Sequence, residues 1–382
     1  MAFVYRVATE ADRDQYIDFA NLVFSMAHRP HDFKAMLPKV YGDGKKTAHM
    51  QNLALDDAGN IRGLVAVMPN EMTVMGEVIR TGYLGTVSVH PYARGEGHMK
   101  KLMGMALDGM RADGCDLTML GGQRQRYEYF GYTRGGVTYV YTASPTNARH
   151  ALSGADAGDI EIREVHADDS EAIAAACALH AKKPCRSART PENFHDIASS
   201  WMARLMGIYK AGAFSGYMIV GWNGEVIPIT EFVLADDALA GAVVKKYLEQ
   251  TGSKGCEIEC AEFDIGIRRA LSRFCEYSSV REGEQLAIFN FPKVIGAFMK
   301  LKASYAPLED GVRGFVIDGQ PLTISVHANQ VSVIPEAPND APSLSAMDAQ
   351  FLFFGRDGAL YGKPLPMGWG QLPLYLDSAD HF

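Results

Sequence analysis

The run Val87-Ser-Val-His-Pro-Tyr-Ala-Arg94-Gly-Glu-Gly97-His-Met99 decides how the first part of the chain folds. A β-rich segment ends at Val89, a basic loop bearing two glycines follows, and a helix opens directly out of it. Met99, Leu102, Met103, Ala106, Leu107 and Met110 recur at the three- and four-residue spacing of an amphipathic helix. The first N–H groups of such a helix have no partners within it and carry partial positive charge, so they attract phosphate oxygens. Gly95 and Gly97 let the backbone approach an anion without a Cβ in the way. Arg94 adds a permanent charge in a planar fork. Strand, loop and helix in this order predict a cradle for a pyrophosphate.

Those residues resemble the coenzyme A motif of the GNAT N-acetyltransferases: Val-x-Val-x-Pro-x-x-Arg-x-x-Gly-x-Met. The resemblance implies a strand that splays from its neighbour, so that the backbone of Val87, Ser88 and Val89 can bond the pantetheine arm. Arg94, Gly95, Glu96, Gly97, His98 and Met99 would then hold the pyrophosphate of acetyl-CoA, the implied co-substrate. Met99 stands where the family usually has a small residue. A bulky apolar residue there is similar to one branch, the Eis-like (enhanced intracellular survival) acetyltransferases.

The 382 residues suffice for two or three domains, and 47% hydrophobic with 21% charged residues describes an ordinary globular protein. No apolar run is long enough to span a bilayer. The start, Met-Ala-Phe-Val-Tyr-Arg, lacks the regions of a signal peptide, so a cytoplasmic location is expected. A net charge of −8 argues against nucleic-acid binding and is compatible with a cationic, amine-bearing substrate. Cys115, Cys177, Cys185 and Cys275 are scattered. Cys256 and Cys260 share a strand face with Ile258, which reads as buried structural thiols. His28 and His31 fit a loop better than a metal site, and no metal is expected.

Residues 1–150 carry the order of a GNAT domain with a mixed sheet. Strands are expected at Phe3–Val7, Asn52–Leu55, Ile61–Met68, Met72–Met75, Val78–Val89, Cys115–Leu120 and Gly136–Tyr141. Thr9 and Asp12 open a helix whose stripe is Tyr16, Phe19, Ala20, Val23 and Phe24. Residues 151–285 repeat the order, with a strand at Ile160–Glu164 and an Ala-rich helix to His180. A helix starts at Thr190-Pro191, and a hairpin turns at Asn223-Gly224. Strands Glu231–Leu234 and Glu257–Cys260 complete it. Where the cofactor loop would fall, this copy reads Leu234-Ala-Asp-Asp-Ala238, whose two carboxylates would repel a pyrophosphate. Residues 286–382 begin with a helix at Val294–Leu301. Strands Gly314–Ile317, Leu322–Val326 and Val331–Ile334 follow, and then an apolar stretch over Phe351–Phe354. This end resembles the sterol-carrier-protein-like domain that closes Eis-like chains. The expected fold class is therefore α/β with mixed sheets: tandem GNAT-type domains followed by a sterol-carrier-protein-like α+β domain.

Acetyl transfer to a primary amine requires removing a proton from an ammonium that titrates near about 10.4, and returning one to the departing thiolate. The oxyanion that develops needs donors, for which the Val89 N–H is suited. Arg80 to His90 contains no Asp or Glu, although many GNAT enzymes place a carboxylate base there. His90 is open as a base or as a packing residue ahead of Pro91. The Eis-like resemblance implies the terminal carboxylate instead, here on Phe382. The apolar, Pro-containing run Leu372 to Phe382 suits a docked tail, with structural docking alone as the alternative. For the acid, Tyr127 lies in Arg126-Tyr-Glu-Tyr-Phe-Gly-Tyr132, a pattern similar to the GNAT segment beside the thiol of coenzyme A. Tyr129 is its rival, and a structural aromatic cluster the plain alternative.

Phe24, Met26, Phe33, Met36 and Leu37 fall where the resemblance puts the wall of the acceptor cleft, with His381 from the tail. Aminoglycosides and lysine side chains both stay open as acceptors. The resemblance further implies a homo-oligomer, commonly a hexamer. Two other readings share these residues: a non-catalytic CoA or acyl-CoA sensor, and a lipid-binding scaffold built on the C-terminal domain.

Overall fold

Three sheets organise the chain, and the computed structural model describes residues 3–27, 29–222, 224–361 and 365–382. In the first sheet the strands run Val4–Val7, Gln51–Leu55, Ile61–Val74, Glu77–Val89, Leu117–Leu120, Gln285–Ile288 and Thr133–Arg134. Cys185–Ser187 pairs with the outer half of Ile61–Val74. Period-two alternation divides this sheet between two cores. Leu53, Leu64, Ala66 and Tyr83 pack on the side of the Arg13–Ala27 helix. Ala54, Val65 and Leu84 meet Leu102, Met103, Ala106 and Met110 of the His98–Ala112 helix. The helical stripe read from the sequence is therefore the buried face. Each fully buried side chain such as Leu102 stabilises the unit by roughly 1.5–3 kcal/mol.

The second sheet runs Tyr277–Glu282, Val137–Ala143, Gly255–Ala261, Val226–Leu234, Ala213–Val220, Arg204–Lys210 and Ile160–Glu164. Thr190 and Asn193 form the capping box of the Pro191–Ala198 helix. The expected hairpin is present, since Ala213–Val220 and Val226–Leu234 pair antiparallel, although Asn223 lies outside the described residues. Cys256 and Cys260 face one core with Ile258 and are buried, free thiols. The third sheet (Gln330–Ile334, Gln320–His327, Gly311–Ile317, Ser343–Leu344) carries the Phe291–Ala303 and Ala346–Phe354 helices. Val294, Ile295 and Phe298 of the first helix join the core of the Arg13–Ala27 side, so the end of the chain is welded to the first sheet.

Three strand assignments change. Ile61–Met68 and Met72–Met75 are one strand, because Pro69 is accommodated opposite Gly82 and pairing continues to Val74. The strand expected at Gly136–Tyr141 runs Val137–Ala143 and belongs to the second sheet. In exchange, Gln285–Ile288 enters the first sheet between Leu117–Leu120 and Thr133–Arg134. The two connections cross where glycines permit contact: a Cβ on Gly283 would stand 2.4 Å from the carbonyl oxygen of Gly135. Non-local pairing of this kind leaves no periodic mark in either segment.

Candidate active site

The two edges of Glu77–Val89 are treated differently. One edge pairs with Ile61–Val74 throughout, with a bulge where Thr86 takes a left-handed φ of 45°. The other pairs parallel with Leu117–Leu120 only from Thr81 to Leu84. From Gly85 to Val89 that neighbour is gone and the strand edge lies open. The N–H of His90 bonds back to the Arg62 carbonyl at 2.9 Å. By the alternation of an antiparallel ladder, Val89 and Val87 then turn their own N–H and C=O groups to the open edge.

The loop beyond the strand is shaped by torsion. Gly95 and Gly97 have φ of 87° and 85°, and a Cβ on either would meet no atom within 4 Å. Left-handed backbone, not lack of space, requires glycine there. Gly97 stands just ahead of the His98–Ala112 helix, whose first N–H groups open into the cleft. The His98 ring is buried, held by the Tyr5 hydroxyl at 2.9 Å and by Glu96 at 3.0 Å. Glu96 therefore points at His98 and is not among the residues lining the cleft. Ser88 is buried and donates to the Thr86 carbonyl at 3.0 Å. Arg94 and Met99 line the cleft, and Lys100 and Arg126, which the motif did not single out, add two cations to the same wall. His90 accepts from the Tyr92 N–H at 3.3 Å and caps the turn after Pro91, a loop-packing role.

A cleft of about 1490 Å³ joins this loop to the open strand edge. Into it comes the end of the chain. The ring of Phe382 lies on Gly85, at the first residue of the open edge, and 6.0 Å from the Tyr41 ring between centroids. The His381 ring stacks on Tyr83 at 5.4 Å. Gly136, with φ 72°, lets the tail pass, since a Cβ there would meet the Leu374 carbonyl oxygen at 1.9 Å. Lys39 donates to the carbonyls of Ala379 (2.6 Å) and His381, and the Trp201 indole to that of His381 at 3.2 Å. Tyr127 is buried beside Gly122 and lines the cleft; burial raises its pKa, so its phenol keeps its proton at neutral pH. Tyr129 is exposed, with the Lys100 ammonium 5.3 Å from its ring centroid.

Residues 4–135 match the family model of the acetyltransferase (GNAT) domain. The chain carries a GNAT domain. It is an acyltransferase, and the co-substrate of such a domain is an acyl-CoA. The fold is shared with solved structures across the chain. GCN5-related N-acetyltransferases from Kribbella flavida (TM-score 0.69, 14% identity) and Anabaena variabilis (TM-score 0.68, 15% identity) are covered over 100% of both chains. Eis1 from Mycobacterium abscessus aligns with TM-score 0.62 and 15% identity over 93% of this chain and 90% of its own. At such identities the likeness is one of fold. No curated protein matches the chain in sequence.

Of the residues expected at the acceptor wall, Phe24, Phe33, Leu37 and His381 line the cleft. Met26 and Met36 are corrections. The buried stripe of Arg13–Ala27 is Tyr16, Ile17, Phe19, Ala20 and Val23, and Ala27 continues it to the cleft. Met26 sits one residue, about 100° of helix, out of phase and is 61% exposed. Met36 is buried outside the cleft lining. His31 lies in a loop, with Nδ1 2.7 Å from the Arg29 carbonyl, and His28 falls outside the described residues.

The second sheet holds the tail beside an opened strand of its own. Its strand Val226–Leu234 also pairs parallel with its neighbour for only four residues, Val226 to Ile229, and then opens. Asp236 accepts from the Ala238 N–H at 3.0 Å, so a carboxylate already stands at the mouth of the next helical turn. Glu231 on the opened stretch pairs with Arg189 at 2.9 Å; Arg189 reaches Asp380 at 2.8 Å, and Lys183 reaches Asp377 at 2.7 Å. Arg189 is fully buried, its charged form held by these carboxylates against the penalty of burial. His180, Glu231 and Asp377 could between them offer three metal ligands, but Lys183 and Arg189 already hold both carboxylates.

One carboxylate escaped the sequence reading. Glu284 lies in the crossover between the sheets and lines the cleft beside the Tyr83 hydroxyl and His381. Only the exchanged strand brings it there.

Proposed function

We propose that this protein moves an acetyl group from acetyl-CoA to a primary amine by direct attack, with Tyr127 as general acid and the carboxylate of Phe382 as base. The observation that carries this reading is the meeting of the open edge, the Gly95–Gly97 loop and the Phe382 end in one cleft. Acetyl-CoA supplies the activated thioester when bound. Val87 and Val89 offer backbone groups to its pantetheine arm, while Arg94 and the first N–H groups after Gly97 receive the diphosphate. The Val89 N–H is available to the developing oxyanion. A phenol kept protonated by burial is suited to return a proton to the thiolate. The terminal carboxylate belongs to a residue that lines the cleft and whose ring lies on Gly85, which supports its role as acceptor of the amine proton, directly or through water.

The four-stranded sheet with its two helices supports the proposal of a sterol-carrier-protein-like end domain, and a homo-oligomer is proposed on the sequence resemblance alone. No helix among the described residues is long and apolar enough to cross a membrane. Release of free thiol from acetyl-CoA in the presence of amines tests the activity. Tyr127→Phe lowers kcat by about 10²-fold with little change in acetyl-CoA affinity, and Arg94→Glu weakens that affinity. Full kcat in Tyr127→Phe overturns the acid assignment.

A further inference from the structure

Glu284 is the one carboxylic side chain among the described residues of the cleft wall. Its Oε1 stands 3.7 Å from Nδ1 of His381. Burial lowers the pKa of His381, so the ring is neutral at neutral pH. Its Nε2 lies 3.2 Å from the Leu376 carbonyl oxygen, which can only accept, so Nε2 carries the single ring proton. Nδ1 is thus an acceptor facing a second acceptor. Two acceptors turned on each other at this distance form a seat for a group with several N–H bonds and a positive charge. An ammonium has three.

Aromatic rings stand in the same cleft wall. Phe24, Phe33, Trp201 and Trp222 line it, and the two indoles are 39% and 55% exposed although they face a cleft. Trp201 is held there at cost: it and Met202 are consecutive non-glycine residues at φ of 60° and 61°. The cations Arg94, Lys100 and Arg126 share the same cleft. A polyamine would place one ammonium on Glu284 and its others against apolar rings or facing fixed positive charge, which burial penalises.

We propose that the acceptor is a primary amine with a single ammonium on a flat, apolar body, the nitrogen seated between Glu284 and His381 Nδ1 and the body lying on Trp201 and Trp222. This rests on the acetyl-transfer reading.

The test uses the full chain with 2-phenylethylamine, ethanolamine and spermidine, read by thiol release and by tryptophan fluorescence. Only three tryptophans are present, and Trp369 is fully buried outside the cleft. Phenylethylamine shifts the emission and has a kcat/KM about tenfold or more above the other two amines. Trp222→Ala shrinks that preference, and Glu284→Gln raises KM for phenylethylamine about tenfold while acetyl-CoA still binds. Transfer that favours spermidine or ethanolamine overturns this inference and leaves the acetyltransferase reading standing. Loss of all three amines in equal proportion in Trp222→Ala also overturns it. Failure of every amine to raise thiol release above the amine-free background overturns both readings.

Discussion

Gly85 and Phe382 are in face-to-face contact: a Cβ added to Gly85 would stand 2.6 Å from Cγ of the ring and 2.7 Å from Cδ1. A residue in the middle of one strand and the last residue of the sequence are fitted to each other. The contact lies where parallel pairing ends at Leu84 and the strand edge opens.

Gly85→Ala tests that fit. The φ of Gly85 is not left-handed, so alanine meets no torsional strain there and acts by displacing the ring. Overpacking of this kind costs about 1–3 kcal/mol, measurable in urea, and kcat falls. Adding Phe382→Leu to Gly85→Ala recovers part of the lost stability, because the smaller side chain makes room. Additive losses contradict the contact.

Arg189→Met removes the charge that holds Glu231 and Asp380. Breaking a buried pair from one side leaves uncompensated carboxylates and costs about 3–5 kcal/mol. Urea unfolding gives the loss, and proteolysis at the tail reports its release. A change within about 0.5 kcal/mol, as for surface substitutions, sinks the anchoring role.

Lys39 gives the tail a pH dependence. Burial pushes its ammonium down to about 7, against the ordinary 10.5; Asp380 opposes the shift and Arg189 adds to it. Between those values the unfolded chain holds more protons than the folded one, so stability rises with pH across that window and is flat below it. The wild-type stability minus that of Lys39→Met therefore climbs with pH above about 7.5, by up to about 1.4 kcal/mol per unit. A difference independent of pH contradicts the shift.

The strand–loop–helix turn was legible because everything that makes it lies within a short run: a strand end, two glycines at left-handed positions, and a helical stripe. Local physics decides such a feature. Met26 failed for a simple reason, since one residue of helical phase separates a wall from a solvent face. Glu284 and the exchanged strand were not legible at all. Gln285–Ile288 is a short apolar run that any sheet could take, and its partners at Leu117–Leu120 lie far away in sequence. Tail docking was half visible in its apolar composition. Its ionic anchor was not, because Asp377, Asp380, Arg189 and Lys183 gain meaning only when folding brings them together.

Gly97→Ala forces a side chain into left-handed backbone at a cost of about 1–2 kcal/mol without filling any needed space. Calorimetric titration should show acetyl-CoA binding weakened about tenfold, as that energy implies. Unchanged affinity would place the diphosphate away from this loop.

The most direct measurement compares kcat of the 382-residue chain with that of the same chain carrying one added glycine after Phe382. The addition moves the carboxylate by one residue and leaves the ring free to stay on Gly85. With Phe382 as base, kcat falls by about 10²-fold or more while acetyl-CoA affinity holds. An undiminished kcat contradicts the assignment and moves the proton to another group in the cleft.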